Sequence, residues 1–303
     1  MNENQNRGAG ALLSLITAMA VFGTIGVFRK YILLPSGFVA MARGLVGAAF
    51  LLAVILIRRR GSAAERADMR RALPILSFSG VLIGFNWILL FEAYRYTSVA
   101  TATLCYYMAP VIVILLSPFL LRERITVKKG VAVLLALVGI VLVSGVTEGG
   151  GVGDFRGILL GLGAAALYAT IILINKRIPP LPPFEKTLVQ LGAAGVCLIP
   201  YTLLAEVGFG NATFSFDLRS VVLLLVLCVV HTGIAYTLYF GSMGHLAAHT
   251  VSIFSYTDPV LAVLLSALFL EEPMTVAAAV GAVLVLSAAV LSELPSSKKH
   301  NND

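Results

Sequence analysis

The chain has 303 residues, of which 59% are hydrophobic and only 12% charged, about half of the roughly 25% charged residues of a soluble domain. That balance excludes a water-soluble globular protein and makes the bilayer the solvent of the fold. The net charge of +7 sits in short loops between apolar runs. It therefore reads as a topology and lipid-headgroup signal rather than a nucleic-acid footprint.

Ten apolar runs reach the length of about 20 residues that spans a bilayer. They cover 9–28, 36–57, 72–94, 97–121, 126–146, 157–175, 184–205, 220–241, 247–270 and 274–293, numbered below as spans 1 to 10. They are too long and too uniformly apolar for barrel strands, which alternate over about ten residues. The expected fold class is an all-α membrane protein with ten transmembrane helices.

Span 1 follows Arg7 and contains Ala18-Met19-Ala20, a small-residue pattern also found at signal-peptide cleavage sites. The run continues to Phe28, and Gly10-Ala11-Leu12-Leu13 has a counterpart at Gly157-Ile158-Leu159-Leu160. It is read as an uncleaved first helix. Span 2 carries Arg43, which is expected either to bind a substrate carboxylate or to pair with Glu92 near the end of span 3; snorkelling is the plain alternative. Span 3 contains Gly80-x-x-x-Gly84, a close-packing pattern, and the polar pair Asn86 and Trp87.

Span 4 places Tyr106, Tyr107 and Pro110 near its middle, and span 9 places Tyr256, Asp258 and Pro259 there. Proline removes one helix hydrogen bond and clashes with the carbonyl four residues back. The groups loosened are the carbonyls of Tyr106 and Ser255, and freed backbone at that depth suits a cavity lining. Span 6 contributes Gly157-x-x-x-Gly161 and Tyr168, and span 8 contributes His231. A charge at the bilayer centre costs at least about 2.5–3.5 kcal/mol, so Asp258 is expected to face protein or water. It is either a protonatable site, a contact for a cationic group, or a neutralised structural acid. Histidine titrates near physiological pH, which makes His231 a second candidate for proton coupling beside its packing alternative. Tyrosine faces with hydroxyl handles suit a small, partly apolar ligand.

Lys and Arg count 16 on the side with both termini and loops 2–3, 4–5, 6–7 and 8–9, against 5 on the other side. The two sides are called the terminal and distal faces below. The bias places both termini in the cytoplasm. Its strongest element is Arg58-Arg59-Arg60 with Arg66, Arg70 and Arg71. Cys105, Cys197 and Cys228 all lie in apolar runs and read as packing residues, with no disulfide or metal spacing.

The second half of the chain repeats the first. Between 101–126 and 250–275, ten of 26 positions are identical, including Tyr107/Tyr256, Pro110/Pro259, Ser117/Ser266, Glu123/Glu272 and Thr126/Thr275. Arg29-Lys30 and Lys176-Arg177 correspond in the same way. Five spans per copy is an odd number, so the copies insert with opposite orientation. The result is an inverted-topology repeat, in which the working site lies where the copies meet. The expected units are 1–146, a glycine-rich linker at 147–156, a second repeat at 157–293 and a cytoplasmic tail at 294–303.

No His-Glu-x-x-His pair, Walker loop or Gly-x-Ser-x-Gly elbow is present in the sequence, and no enzyme, cofactor or metal is expected. The stretch Gly233-Ile234-Ala235-Tyr236-Thr237-Leu238-Tyr239-Phe240, then Asp258-Pro259-Val260, then Leu270-Glu271-Glu272-Pro273-Met274-Thr275, resembles the second repeat of the EamA family. This family belongs to the drug/metabolite transporter superfamily. Ala109-Pro110-Val111 and Leu121-Arg122-Glu123-Arg124-Ile125-Thr126 carry the same elements in the first copy. The resemblance implies a ten-helix bundle around a central cavity lined by spans 1, 3, 4, 6, 8 and 9, and export of amino acids or other small metabolites. Asp258 stands where the family often has Glu, and Ala109 fills that place in the first copy.

The resulting expectation is a secondary transporter of the inner membrane, exporting a small metabolite or amino acid by alternating access with protons as a candidate coupling ion. Asn86, Trp87, Tyr107, Tyr168, Tyr256 and Arg43 are the expected substrate contacts. Asp258 and His231 are the proton or polar sites, and Pro110 and Pro259 the kinks. The partners are a small molecule and lipid, with oligomeric state left open. The alternatives are a lipid-linked flippase and a non-transporting sensor or scaffold.

Overall fold

The structure is a computed structural model that describes residues 2–57, 63–120, 126–143, 152–178, 181–208, 214, 216–243, 245–246, 248–272 and 274–293. Among the described residues there is no β-strand. The basic cluster at 58–60, the segment 121–125, residues 147–151 of the linker and the tail at 294–303 lie outside them.

All ten apolar runs are helical. Span 1 is α1 (Asn2–Gly23) and α2 (Ile25–Lys30), span 2 is α3 (Ser36–Ile57), and span 3 is α4 (Ala63–Tyr96). Span 4 is α5 (Val99–Tyr106) and α6 (Ala109–Leu120), span 5 is α7 (Val127–Val143), and span 6 is α8 (Val152–Arg177). Span 7 is α9 (Pro183–Tyr201), continued by a π-helical turn over Thr202–Gly208. Span 8 is α10 (Leu218–Cys228), a π-helical segment Val229–Ile234, and α11 (Ala235–Met243). Span 9 is α12 (Ala248–Ser255) and α13 (Thr257–Phe269), and span 10 is α14 (Val276–Glu293). Seven of these stretches are long and apolar enough to cross a membrane on their own, and the remaining three are shorter helices.

Spans 1, 4 and 9, expected as continuous helices, are interrupted by short turns, and span 8 widens into a π-helical segment without a gap. Pro110 is the second residue of α6 and Pro259 the third of α13. Proline is well placed in a first helical turn, where its missing N–H is needed by no intrahelical bond. The two prolines therefore sit in the first turn of the second half of spans 4 and 9. The breaks fall at the matched tyrosines, Tyr107 and Tyr256.

The repeated Glu-x-x-Thr has a local reason as well. Thr126 Oγ1 accepts from the Lys129 N–H at 3.3 Å, and Thr275 Oγ1 accepts from the Ala278 N–H at 3.1 Å. Each threonine thus caps the last helix of its copy and satisfies a donor that has no intrahelical partner.

The packing order follows a pseudo-two-fold axis. Equivalent helices pair with each other, α3 with α9 and α7 with α14, and the equivalent spans 4 and 9 meet through α5 and α13. The contact of span 3 with span 6 is mirrored by span 8 with span 1, seen as α4 on α8 and α11 on α1. This is the arrangement of an inverted repeat.

Glycines set the closest approaches. A Cβ on Gly44 would meet the Gly195 backbone at 2.7 Å, and a Cβ on Gly84 the Leu198 side chain at 3.1 Å. A Cβ on Gly139 would meet the Gly281 carbonyl at 2.8 Å, and one on Gly281 the Gly139 carbonyl at 2.6 Å. Small residues let helix backbones touch where no hydrophobic effect drives association. Gly281→Leu is expected to separate α7 from α14 and lower stability by about 1–3 kcal/mol or more, the usual cost of overpacking. A thermal unfolding midpoint in detergent equal to that of the parent would refute this reading.

Candidate substrate site

The half-helix breaks bring the two copies together at mid-bundle. The Tyr107 hydroxyl donates to Asp258 Oδ2 at 2.7 Å, which links the break of span 4 to the start of α13. Tyr107 and Tyr256, equivalent in the repeat, lie with ring centroids 6.3 Å apart. Tyr106 packs edge-on to Tyr107 at 5.9 Å and stacks on Tyr168 at 5.2 Å. Tyr107, Tyr168, Tyr256 and Asp258 therefore form one aromatic group around a carboxylate. Tyr168 is 39% exposed and forms its open edge. Gly23, at the break of span 1, admits the Asp258 backbone: a Cβ there would come within 2.8 Å of the Asp258 carbonyl.

Arg43 faces protein and is 4% exposed. Its guanidinium lies over the Trp87 ring, 4.3 Å from the centroid, and Nε donates to Thr232 Oγ1 at 2.8 Å. Thr232 in turn donates to the Leu227 carbonyl at 3.2 Å. A Cβ on Gly47 would meet the Thr232 methyl at 2.5 Å, so this glycine gives Thr232 its place. The expected Arg43–Glu92 pair is not formed: Glu92 pairs with Arg95, three residues along α4, at 3.1 Å. The correction has a simple cause, since the i,i+3 neighbour is always within reach on a helix.

His231 lies in the π-helical segment of span 8, next to Thr232, and is 2% exposed. Its ring packs against Phe28 at 4.8 Å. Nδ1 lies 3.2 Å from the Val226 carbonyl, and Nε2 lies 2.7 Å from Thr24 Oγ1. A carbonyl only accepts, so Nδ1 carries the proton in that bond. In the neutral ring Nε2 then accepts from the Thr24 hydroxyl. A protonated ring donates to Thr24 instead, and turns its hydroxyl to the Val21 carbonyl, 2.7 Å away. Either way the wide turn of span 8 is tied to the break of span 1. Single-turn π segments recur at functional sites.

Asn86 is placed differently from the expectation. Its Nδ2 donates to the Ala164 carbonyl at 2.6 Å, and it is 2% exposed. It joins α4 to α8, one turn before Tyr168 on the latter. Trp87 is likewise covered, by Arg43. Thr24, Phe28, Thr232 and Tyr236 are site neighbours that sequence reading passed over. A threonine flanked by glycines inside a span, as in Gly23-Thr24-Ile25-Gly26, was the available signal for the first.

A cavity of about 480 Å³ opens on the terminal face between α1 and α11, lined by Ala11, Ser14, Thr237, Gly241, Ser242 and His245. Deeper along the same two helices, Phe22 packs on Tyr236 at 5.2 Å and on Tyr239 at 6.3 Å. This aromatic layer lies between the cavity and the breaks at Thr24 and His231.

Ten helical spans in two inverted copies, with the half-buried Asp258 and the buried Arg43 guanidinium among them, are the architecture of a multi-pass membrane protein. The EamA-like transporter family profile matches residues 9–145 and again 155–294, and the chain belongs to this family. The uncharacterized transporter YxxF of Bacillus subtilis is 29% identical over 296 residues, 96% of this chain and 92% of that protein. Protein RarD of Salmonella typhi is 28% identical over 277 residues, 90% of each. One solved crystal structure superposes with a TM-score of 0.63 at 20% identity, over 94% of this chain and 96% of that one, and shares the fold.

Proposed function

We propose that this transporter exports a small amine-bearing metabolite, with an amino acid as the best fit, across the inner membrane by alternating access. The observation that carries the reading is the Tyr107–Asp258 pair, one residue from each copy, set among tyrosines. A carboxylate flanked by aromatic faces suits an ammonium group. A guanidinium held on Trp87 suits a carboxylate. Together they complement a zwitterion.

Asp258 and His231 are the groups proposed to exchange protons, and the Thr24 hydroxyl gives His231 a mechanical link to span 1. The basic bias of the terminal face supports cytoplasmic termini, with substrate entering through the terminal-face cavity. The covered setting of Arg43, away from lipid, favours this reading over a lipid-linked substrate.

The experiment is a thermal-shift screen of purified protein against amino acids, their decarboxylated amines and nucleosides. It is followed by flux of each stabilising compound in proteoliposomes with and without a pH gradient. A bound ligand raises the unfolding midpoint by mass action. Stabilisation by nucleosides with none by any amine would overturn the assignment.

A further inference from the structure

At the distal face one carboxylate that belongs to none of the groups above, Glu272, ties three spans together. Glu272 follows span 9, where Glu271 takes a left-handed backbone conformation with φ of 52°. That turn brings Glu272 back over its own helix: its N–H donates to the Ser266 carbonyl at 3.4 Å, and the Ser266 hydroxyl donates to Oε2. The same Oε2 accepts from the Val99 N–H at 2.8 Å, at the first residue of α5. Oε1 pairs with Lys30 Nζ, the last residue of α2, at 3.2 Å. Lys30 also reaches the Thr97 carbonyl at 3.4 Å, and the Tyr31 hydroxyl donates to the Phe269 carbonyl at 3.2 Å.

One side chain therefore joins the distal ends of spans 1, 4 and 9. Those are the three spans whose breaks at Thr24, Tyr107 and Tyr256 surround Asp258. A small void of about 30 Å³ adjoins the junction, lined in part by Thr101, Val263, Ser266 and Glu272 itself. The open cavity is at the other face, between α1 and α11. A single exposed ion pair holds little. This one is shared with a helix N-terminus, which favours negative charge, and with a hydroxyl, so its donors act together on a partly buried acid. In the sequence the repeat carries the same residue types once more, Glu123 matching Glu272 and Arg177 matching Lys30.

We propose that Glu272 is the latch of the distal gate: its bonds to Lys30, Val99 and Ser266 hold the pathway closed on that face, and their release opens it. The proposal rests on the alternating-access reading, but its test needs no substrate. Val263, buried beneath the latch, is replaced by cysteine in a chain whose native cysteines are alanine. Labelling by a charged, membrane-impermeant thiol reagent is then timed.

Glu272→Gln is expected to speed labelling about tenfold or more, as a closed state loses charge-assisted bonds and the open population grows. Lys30→Gln keeps the bonds from Val99 and Ser266 and is expected to speed it less. It also decides the matter if Glu272→Gln fails to fold. Unchanged labelling in Lys30→Gln and in folded Glu272→Gln, with only a lower thermal midpoint, would make Glu272 a helix cap and overturn the latch. In that event flux of an amine would still stand or fall separately. Faster labelling with no flux of any amine would keep the latch and sink the substrate assignment.

Discussion

Asp258→Asn is expected to lower flux of an amine-bearing substrate by about a hundredfold, because an ammonium loses the ionised partner of a charge-assisted bond. Asparagine is nearly the same size and still accepts from the Tyr107 hydroxyl, so the aromatic group and the fold should survive. Retained secondary structure and a thermal midpoint near the parent's would show this. Tyr107→Phe removes the donor and keeps the acid, so its loss should be smaller. Asp258→Glu restores the charge with a longer reach and should recover part of the flux. Because Ala109 occupies the equivalent place in the first copy, no second carboxylate in the repeat can take over. Any pH dependence of flux should also weaken in Asp258→Asn. Unchanged flux and unchanged pH response in this variant would remove Asp258 from the mechanism.

Arg43 carries the second large expectation. Arg43→Lys keeps one positive charge but loses the planar fork that stacks on Trp87 while Nε reaches Thr232. The two cations are not interchangeable in such a setting. The apparent KM for an amino acid should rise about tenfold or more, the scale of one lost charge-assisted hydrogen bond. The decarboxylated amine should be transported as before, because it has no carboxylate to lose. Equal losses for both substrates would assign Arg43 to holding spans 2, 3 and 8 together. Thr232→Val should mimic a weaker Arg43→Lys, and Thr232→Ser should restore the parent behaviour, if Thr232 acts by aiming the guanidinium.

Much of the architecture was legible because each apolar run must satisfy its own backbone in lipid, which forces helices of a set length. The repeat then implied two copies, and an odd span count implied their inversion. The matched prolines and tyrosines marked the depth of the site. Side-chain partners were less legible. Arg43 and Glu92 looked like a pair because both lie toward one end of adjacent spans. Their helices turn those side chains to different neighbours, Trp87 and Thr232 for one and Arg95 for the other. Asn86 looked like a binding group because a buried amide needs partners. The partner turned out to be the Ala164 carbonyl of the next helix.

The sequence by itself determined the family, the ten spans and the inverted repeat, since all of these follow from motif order, length and duplication along one chain. Only the tertiary structure decided where spans 1 and 8 break and widen, which groups meet across copies, and that Glu272 joins the distal ends of spans 1, 4 and 9. Those features depend on contacts between residues more than a hundred positions apart, such as Thr24 with His231, Tyr107 with Asp258 and Lys30 with Glu272. Helix packing angle and rotation set such contacts, and neither is written in the hydrophobic pattern of a single span.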